Sequence, residues 1–323
     1  MGTKLACAAL VVLAAATTAG CGGGGESSGG TSSQPTVAKP ADFPKPGGRS
    51  LVEMRSQMAS GPVLAPAMSV LERGPNRFAF ALFDRARKQI SDAAVAVYVQ
   101  PKSGGRVLGP FVARDESLAV QAPYRSQTVA NDPTAAQSVY VANIRLPKVG
   151  DYNVLGVARL DDRLVAADPA GPTRAVSRSP VPDVGQKAIP VDTPTVASAG
   201  SIEKIDTRQP HDDMHDVNLK DVLGKQPVVL LFATPALCQS RVCGPVADIT
   251  EQLKAKYGKQ AAFIHMEIYN DNNVSKGFRP QVLAWHLPTE PWVFTIKSDG
   301  TIAGRIEGAF SAGELDAAIK KAL

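Results

Sequence analysis

The sequence predicts two domains, an all-β sandwich over residues 57–195 followed by an α/β domain over 201–323. Three observations carry this reading. Short apolar runs separated by turn residues recur through the first span, at the roughly 8–12-residue spacing of a sandwich. A stretch rich in Pro, Ser and Gly, "SRSPVPDVGQKAIPVDTPTVASAG" (177–200), closes that span and marks the boundary. From 201 onward, apolar strand runs alternate with helical patterns.

The candidate strands of the first domain are "RFAFALFD" (77–84), "AAVAVYVQ" (93–100), "RVLGPFVA" (106–113), "SVYVANIRL" (138–146), "YNVLGVARL" (152–160) and "RLVAAD" (163–168). Period-two alternation is visible in Phe78, Phe80 and Leu82, and in Val139 and Val141 with Ile144. The run "VGDYNVLGVARL" resembles the late strand of immunoglobulin-like exported domains. That resemblance carries no function, and the span holds no cysteine pair and no His cluster. It reads as a spacer or adhesion module.

In the second domain, "PVVLLFA" (227–233) is a continuous apolar run, as a buried central strand requires. Val246, Ile249, Leu253 and Tyr257 then fall on one helical face, with Gly258 at the C-cap position. "AAFIHMEIY" (261–269) is a strand and "PQVLAWHL" (280–287) a short helix. "PWVFTI" (291–296), the turn "KSDG" (297–300) and "TIAGRIE" (301–307) make a hairpin. Ser311 and Glu314 form a capping box for a closing helix that turns Leu315 and Ile319 inward. The order is β-α-β-α-β-β-α.

The N-terminus reads as a targeting segment. Lys4 supplies a positive n-region, Leu5 to Ala16 a short apolar stretch, and Thr18-Ala19-Gly20 small residues ahead of Cys21. Small residues before a cysteine resemble a bacterial lipobox, which implies that 1–21 is a lipoprotein-type signal peptide and that Cys21 is lipidated. Thr18 departs from the usual Leu of that motif, and ordinary secretion is the alternative. Residues 22–56 have the Gly/Ser/Pro composition of a flexible tether. The expected place is the cell envelope, outside the cytoplasm, anchored to the membrane through the lipid at Cys21. Lys plus Arg number 35 against 30 Asp plus Glu, with no basic block. No nucleic-acid partner is expected.

The chain has four cysteines. Cys7 leaves with the leader and Cys21 is taken by lipid. Cys238 and Cys243 remain in an oxidising compartment, where two thiols so close are a disulfide or a working dithiol. A thiol at a helix N-terminus meets the positive end of the macrodipole and free N–H groups, and both favour the thiolate.

The element order, a cysteine motif at the first strand–helix junction and a proline opening the hairpin together resemble the thioredoxin fold. The lead-in "VNLKDVLGKQPVVLLFATPALC" (217–238) is similar to exported, membrane-tethered thioredoxin-like proteins and to peroxiredoxins. The resemblance covers roughly 201–323. It implies that Cys238 attacks, that Cys243 resolves, and that Pro291 is a cis-proline presenting the substrate beside them. Trp292 reads as a core plug. The spacing departs from the family's C-x-x-C. Residues five apart in a regular helix have Cα atoms roughly 8–9 Å apart, beyond the roughly 7 Å a disulfide tolerates. Either Cys238 lies in the loop before the helix or the first turn unwinds when the pair oxidises; the former is expected at rest, with Pro235 and Ala236 in that loop. A frame based on "CGP" (243–245) fails because Val246 stands where a second cysteine would be needed.

Two further families enter as alternatives. "ATPALCQSRVC" (233–243) resembles the C-x4-C motif of Q-type peroxiredoxins, which implies a thiol peroxidase. Thr234 is one place too early for that family, and Arg241 could replace the missing arginine only by pointing back at Cys238. The Sco-type copper chaperones also use this fold, with a C-x3-C pair and a His; soft thiolates suit Cu(I). His265 reads as a core or edge residue of its strand. His211 and His215 have H-x3-H spacing, but Pro210 and three Asp in "PHDDMHD" (210–216) suggest a solvated loop. A purely structural protein would leave the cysteine pair without a use.

The expectation is thus an exported, lipid-anchored thiol-disulfide oxidoreductase with no cofactor and no metal. Its partners would be exported protein thiols or disulfides, a redox partner, and the membrane through the anchor.

Overall fold

Period-two burial governs the first half of the chain. Nine strands form there: β1 (Ala59–Pro66), β2 (Gly74–Phe83), β3 (Gln89–Ile90), β4 (Ala94–Pro101), β5 (Leu108–Ser117), β6 (Ser138–Leu146), β7 (Gly150–Leu160), β8 (Arg163–Pro169) and β9 (Thr173–Ala175). Along β2, Phe78, Phe80 and Leu82 enter one core while Ala79 enters another. β6 repeats this, with Tyr140, Ala142 and Ile144 on one side and Val139 and Val141 on the other. A strand apolar on both faces must have both covered. The computed structural model that shows this describes residues 38–323. The expected leader, Cys7, the lipidated Cys21 and the tether as far as 37 lie outside the described residues.

The strands do not form the predicted immunoglobulin-like sandwich. They hydrogen-bond in the order β1-β8-β7-β4-β5-β6-β2, and β1 pairs again with β2, so seven strands close into a barrel. β3 extends β2 and β9 extends β7. Within the ring β1 and β8 run parallel, and the other pairs are antiparallel. The closing strand is the one the pattern did not mark. β1 reads "ASGPVLAP", with a Gly and two Pro that argue against a strand. Gly61 lies at its register shift against β8. A Cβ there would stand 2.6 Å from Val165 Cγ2, so only glycine lets the two strands approach.

Part of the barrel's outer face carries Ala96, Tyr98, Leu155, Val157 and Ala166. These are covered by Phe43 and by Leu51 and Met54 of α1 (Leu51–Ser56), a helix started by a Ser50–Glu53 capping box. Residues 38–56, assigned by composition to the tether, therefore pack on the barrel.

The long β5–β6 connection of the barrel half carries α2 (Gln127–Ala130); the second half contains α3 (Val196–Ala199), α4 (Leu219–Val222), β10 (Val228–Phe232), α5 (Cys243–Tyr257), β11 (Ala262–Met266), α6 (Pro280–Ala284), β12 (Trp292–Ile296), β13 (Ile302–Glu307) and α7 (Ala312–Lys320). The sheet order is β11-β10-β12-β13, with β10 parallel to β11 and antiparallel to β12. From β10 on, the elements follow the β-α-β-α-β-β-α order read from the sequence. Val229, Leu231 and Val293 face α5 and α7, and Val228, Leu230, Phe232 and Phe294 face Val282 and Trp285 on the other side.

The expectation of a sandwich followed by a separate α/β domain is corrected here as well. Ala79, Leu118, Val139 and Val141 of the barrel half share one core cluster with α5, α7 and the second sheet. Arg77 of β2 forms a 2.8 Å ion pair with Glu314 of α7 and donates to the carbonyls of Glu307 and Ala309. Val181, Ala188 and Val191, from the stretch taken as a boundary, are buried against the second sheet. Residues 38–323 accordingly belong to one unit with few helices. No helix among the described residues is long and apolar enough to cross a membrane.

Candidate functional site

β10 ends at Phe232, and the chain leaves it through a series of turns before α5 begins at Cys243. Cys238 lies in those turns with Pro235 and Ala236, the arrangement expected at rest. Cys238 N–H donates to Thr234 O at 3.2 Å, and Arg241 N–H to Cys238 O at 3.3 Å. Cys243 is the first residue of α5. Both cysteines are free thiols and both are buried, Cys238 with 5% of its surface exposed and Cys243 with none.

Four neighbouring groups favour the Cys238 thiolate. The Cys243 thiol contributes most, burial opposes it, and the Ser240 hydroxyl and the backbone N–H groups of Cys243 and Val242 add to it. The Ser240 oxygen stands 3.2 Å from Cys238 Sγ. Together they lower the Cys238 pKa to about 6. Burial, with the adjoining Cys238 sulfur, pushes the Cys243 thiol well above its ordinary value. The pair is therefore split into a ready thiolate and a retained thiol.

Pro291 opens β12, after a cis peptide bond from Glu290. Trp292 is paired in the sheet with Phe232, two residues before Thr234, so this turn lies at the cysteine end of β10. Trp292 is a core residue, stacked on Phe294. Glu290 accepts a 3.3 Å hydrogen bond from Tyr269, and burial followed by the nearby Cys238 raises its carboxyl pKa. The sequence reading did not single out Ser240 or Glu290. Ser240 stood in plain view inside the C-x4-C segment; Glu290 had no local signal beyond its place before Pro291.

Arg241 does not point back at Cys238. Its guanidinium pairs with Asp132 at 3.3 Å, on the long connection leaving the barrel. Arg241 O accepts a 3.1 Å bond from Ala136 N–H in that same connection. A Cβ on Gly244 would lie 2.9 Å from Val129 of α2, so the barrel half presses on the first turn of α5. The buried ion pair Arg208–Asp248, at 2.9 Å, fastens α5 from below, and Asp248 also accepts from Ser126 N–H at 2.9 Å. A cavity of about 540 Å³ opens between the cysteine loop and the barrel, lined by Gln239, Ser240 and Arg241 with Phe83, Gln89 and Ala135.

The segment 210–216, expected to be a solvated loop from its Asp content, exposes Asp213 and Asp216 but buries the rest of its charge. Asp206, Asp212, Met214 and His215 are all buried, while His211 keeps partial exposure. Asp206 and Asp212 gather with His215 and with His265 of β11. His265 Nδ1 stands 2.8 Å from Asp212 Oδ2 and its Nε2 stands 3.2 Å from Ala233 O. Both nitrogens are engaged away from the thiols, so His265 does not complete a Cys-Cys-His set. The H-x3-H spacing of His211 and His215 pairs the wrong residues; the Asp212–His215 spacing inside "HDDMH" is the signal that matches the cluster, and Asp206 has none.

No family model matches the chain, and no curated protein matches it. Among solved structures it is similar to a Chlorobium tepidum protein provisionally named thiol:disulfide interchange protein DsbE. The TM-score is 0.31 and the identity 19%, over 43% of this chain and 94% of that one.

Proposed function

We propose that the protein is a thiol-disulfide oxidoreductase. The observation that supports this reading most is the Cys238 sulfur, held in the turn before α5 with the Ser240 hydroxyl 3.2 Å away and with its pKa lowered to about 6, by the Cys243 thiol above all. The Cys238 thiolate attacks one sulfur of a partner disulfide. The Cys238–partner bond forms, the partner S–S bond breaks, and the other partner sulfur leaves as thiolate. Cys243 then loses its proton and attacks Cys238 Sγ. The Cys238–Cys243 bond forms and the second partner sulfur is released, so two electrons pass to the partner. Oxidised protein runs the same steps in reverse.

The partner approaches along the cavity lined by Ser240 and Arg241 of the cysteine loop and by the barrel. In this reading the barrel braces the reactive turn and walls the approach. The partner is an exported protein thiol or disulfide, and the protein is held at the cell envelope by a lipid on Cys21.

The test is catalysis of insulin disulfide reduction by dithiothreitol. Wild-type protein accelerates the reaction, and Cys238→Ser removes the acceleration. Equal activity of Cys238→Ser and wild type would end the proposal.

A further inference from the structure

We propose that Asp206, Asp212, His215 and His265 form a binding site for one divalent first-row cation of the zinc class, separate from the cysteine pair. The four side chains each offer one ligand atom, and those atoms all lie within 4.8 Å of one another. All four residues are buried.

His215 points to a ligand most directly. It is 1% exposed, and neither ring nitrogen has a hydrogen-bond partner among the described residues. A buried polar group left without a partner is destabilising. Its Nε2 stands 3.3 Å from Asp212 Oδ1 and 3.6 Å from Asp206 Oδ2. These separations are long for hydrogen bonds and suit ligands sharing an ion. Tetrahedral bonds of about 2.0–2.2 Å place neighbouring ligand atoms roughly 3.3–3.5 Å apart. His265 Nδ1 stands 3.8 Å from Asp206 Oδ1, near the same range.

The surroundings orient the set as the outer shell of a metal site does. His265 Nε2–H donates to Ala233 O at 3.2 Å, which leaves Nδ1 turned toward the carboxylates. Asp206 accepts from Arg208 N–H and from Asp212 N–H, each at 2.8 Å. Asp212 Oδ1 accepts from Met214 N–H at 3.0 Å. Two carboxylates balance a divalent charge. Two imidazoles with two carboxylates and no thiolate suit Zn(II) and its first-row neighbours better than Cu(I). Four protein ligands in a closed, buried site describe a structural ion. On binding, the cation takes the place of the proton between His265 Nδ1 and Asp212, and that proton leaves to solvent.

The site would tie the 206–216 segment to β11 beneath the reactive turn. Two links reach that turn: the His265 bond to Ala233 O, and Thr207 Oγ1, which accepts from Ala236 N–H at 3.1 Å.

The full chain, stripped with chelator under mild denaturant and refolded with Zn(II) or Co(II), is desalted and analysed for metal. The expected result is retention of near one equivalent by both wild type and the Cys238→Ser/Cys243→Ser double variant. The Co(II) form should show four-coordinate d–d absorption without thiolate charge-transfer bands. His215→Gln, which loses no hydrogen bond present in the metal-free protein, should fold and fail to retain the ion. The Co(II) spectrum of wild type identifies the ligands even if that variant misfolds. Three results would overturn the proposal: no retained ion, loss of the ion with the two cysteines, or unchanged retention in folded His215→Gln.

Discussion

Cys238 lies in the turn before α5 and Cys243 is the first residue of that helix, near enough that the Cys243 thiol is the largest influence lowering the Cys238 pKa. This placement lets a C-x4-C pair meet, which two positions inside one regular helix could not do. It also assigns the roles, since the sulfur in the turn collects the donors and the sulfur in the helix is wholly buried.

The lowered pKa of Cys238 gives the pH dependence its sign. Below about 6 the thiol is protonated and slow to react, and above it the thiolate dominates. The iodoacetamide rate of Cys238, followed by peptide mass, should rise through a midpoint near about 6 and level off by neutral pH. Ser240→Ala should move that midpoint upward, and Cys243→Ala should move it further, because the Cys243 thiol is the larger contributor. A midpoint in the ordinary thiol range would refute the donor arrangement.

Cys243→Ser should halt exchange at the mixed disulfide. Incubated with an oxidised glutathione or peptide disulfide, this variant accumulates a covalent adduct at Cys238, seen as a stable mass increase. Wild type should show only the internal disulfide. Adduct formation at Cys243 in Cys238→Ser, at an equal rate, would reverse the assigned roles.

Asp248 and Arg208 are both buried, and their ion pair joins α5 to the 206–216 segment. Removing one partner strands the other charge. Asp248→Ala should cost about 3–5 kcal/mol in urea unfolding monitored by circular dichroism. A loss within the range of surface substitutions would mean that water reaches the pair.

Gly61→Val should open the seam between β1 and β8, because a side chain there collides with Val165. The expected cost is about 1–3 kcal/mol, with faster amide exchange at β1 and β8 than at β4 and β7. Unchanged exchange at the seam would contradict the closed barrel.

The parts of this fold legible in the sequence were those with local periodic signals. The strands at β2, β4, β6 and β7, the face of α5 and the Ser311–Glu314 cap all carry such signals. Closure of the barrel was hidden, because it rests on β1, whose Gly61 and prolines mask a strand and whose partner β8 lies about a hundred residues away. The shared core was hidden too. Val139 and Val141 look like ordinary alternation until α5 and α7 are seen to cover them. At the site, disulfide geometry left the turn position of Cys238 as one of two options, and the structure takes it. The Asp206–Asp212–His215–His265 cluster was not legible, since composition reads three Asp in seven residues as solvated, which holds for Asp213 and Asp216, whereas Asp212 is buried and accepts a backbone N–H beside Asp206 from outside that run.

The reduction potential of the Cys238–Cys243 pair tests the central claim most directly. It is measured by mass-resolved thiol trapping of the protein equilibrated in graded redox buffers. The account predicts a reversible disulfide with a potential between about −120 and −270 mV, the range of catalytic exchangers. A pair that forms no disulfide in any buffer, or one so stable that it stays oxidised below about −300 mV, would contradict it.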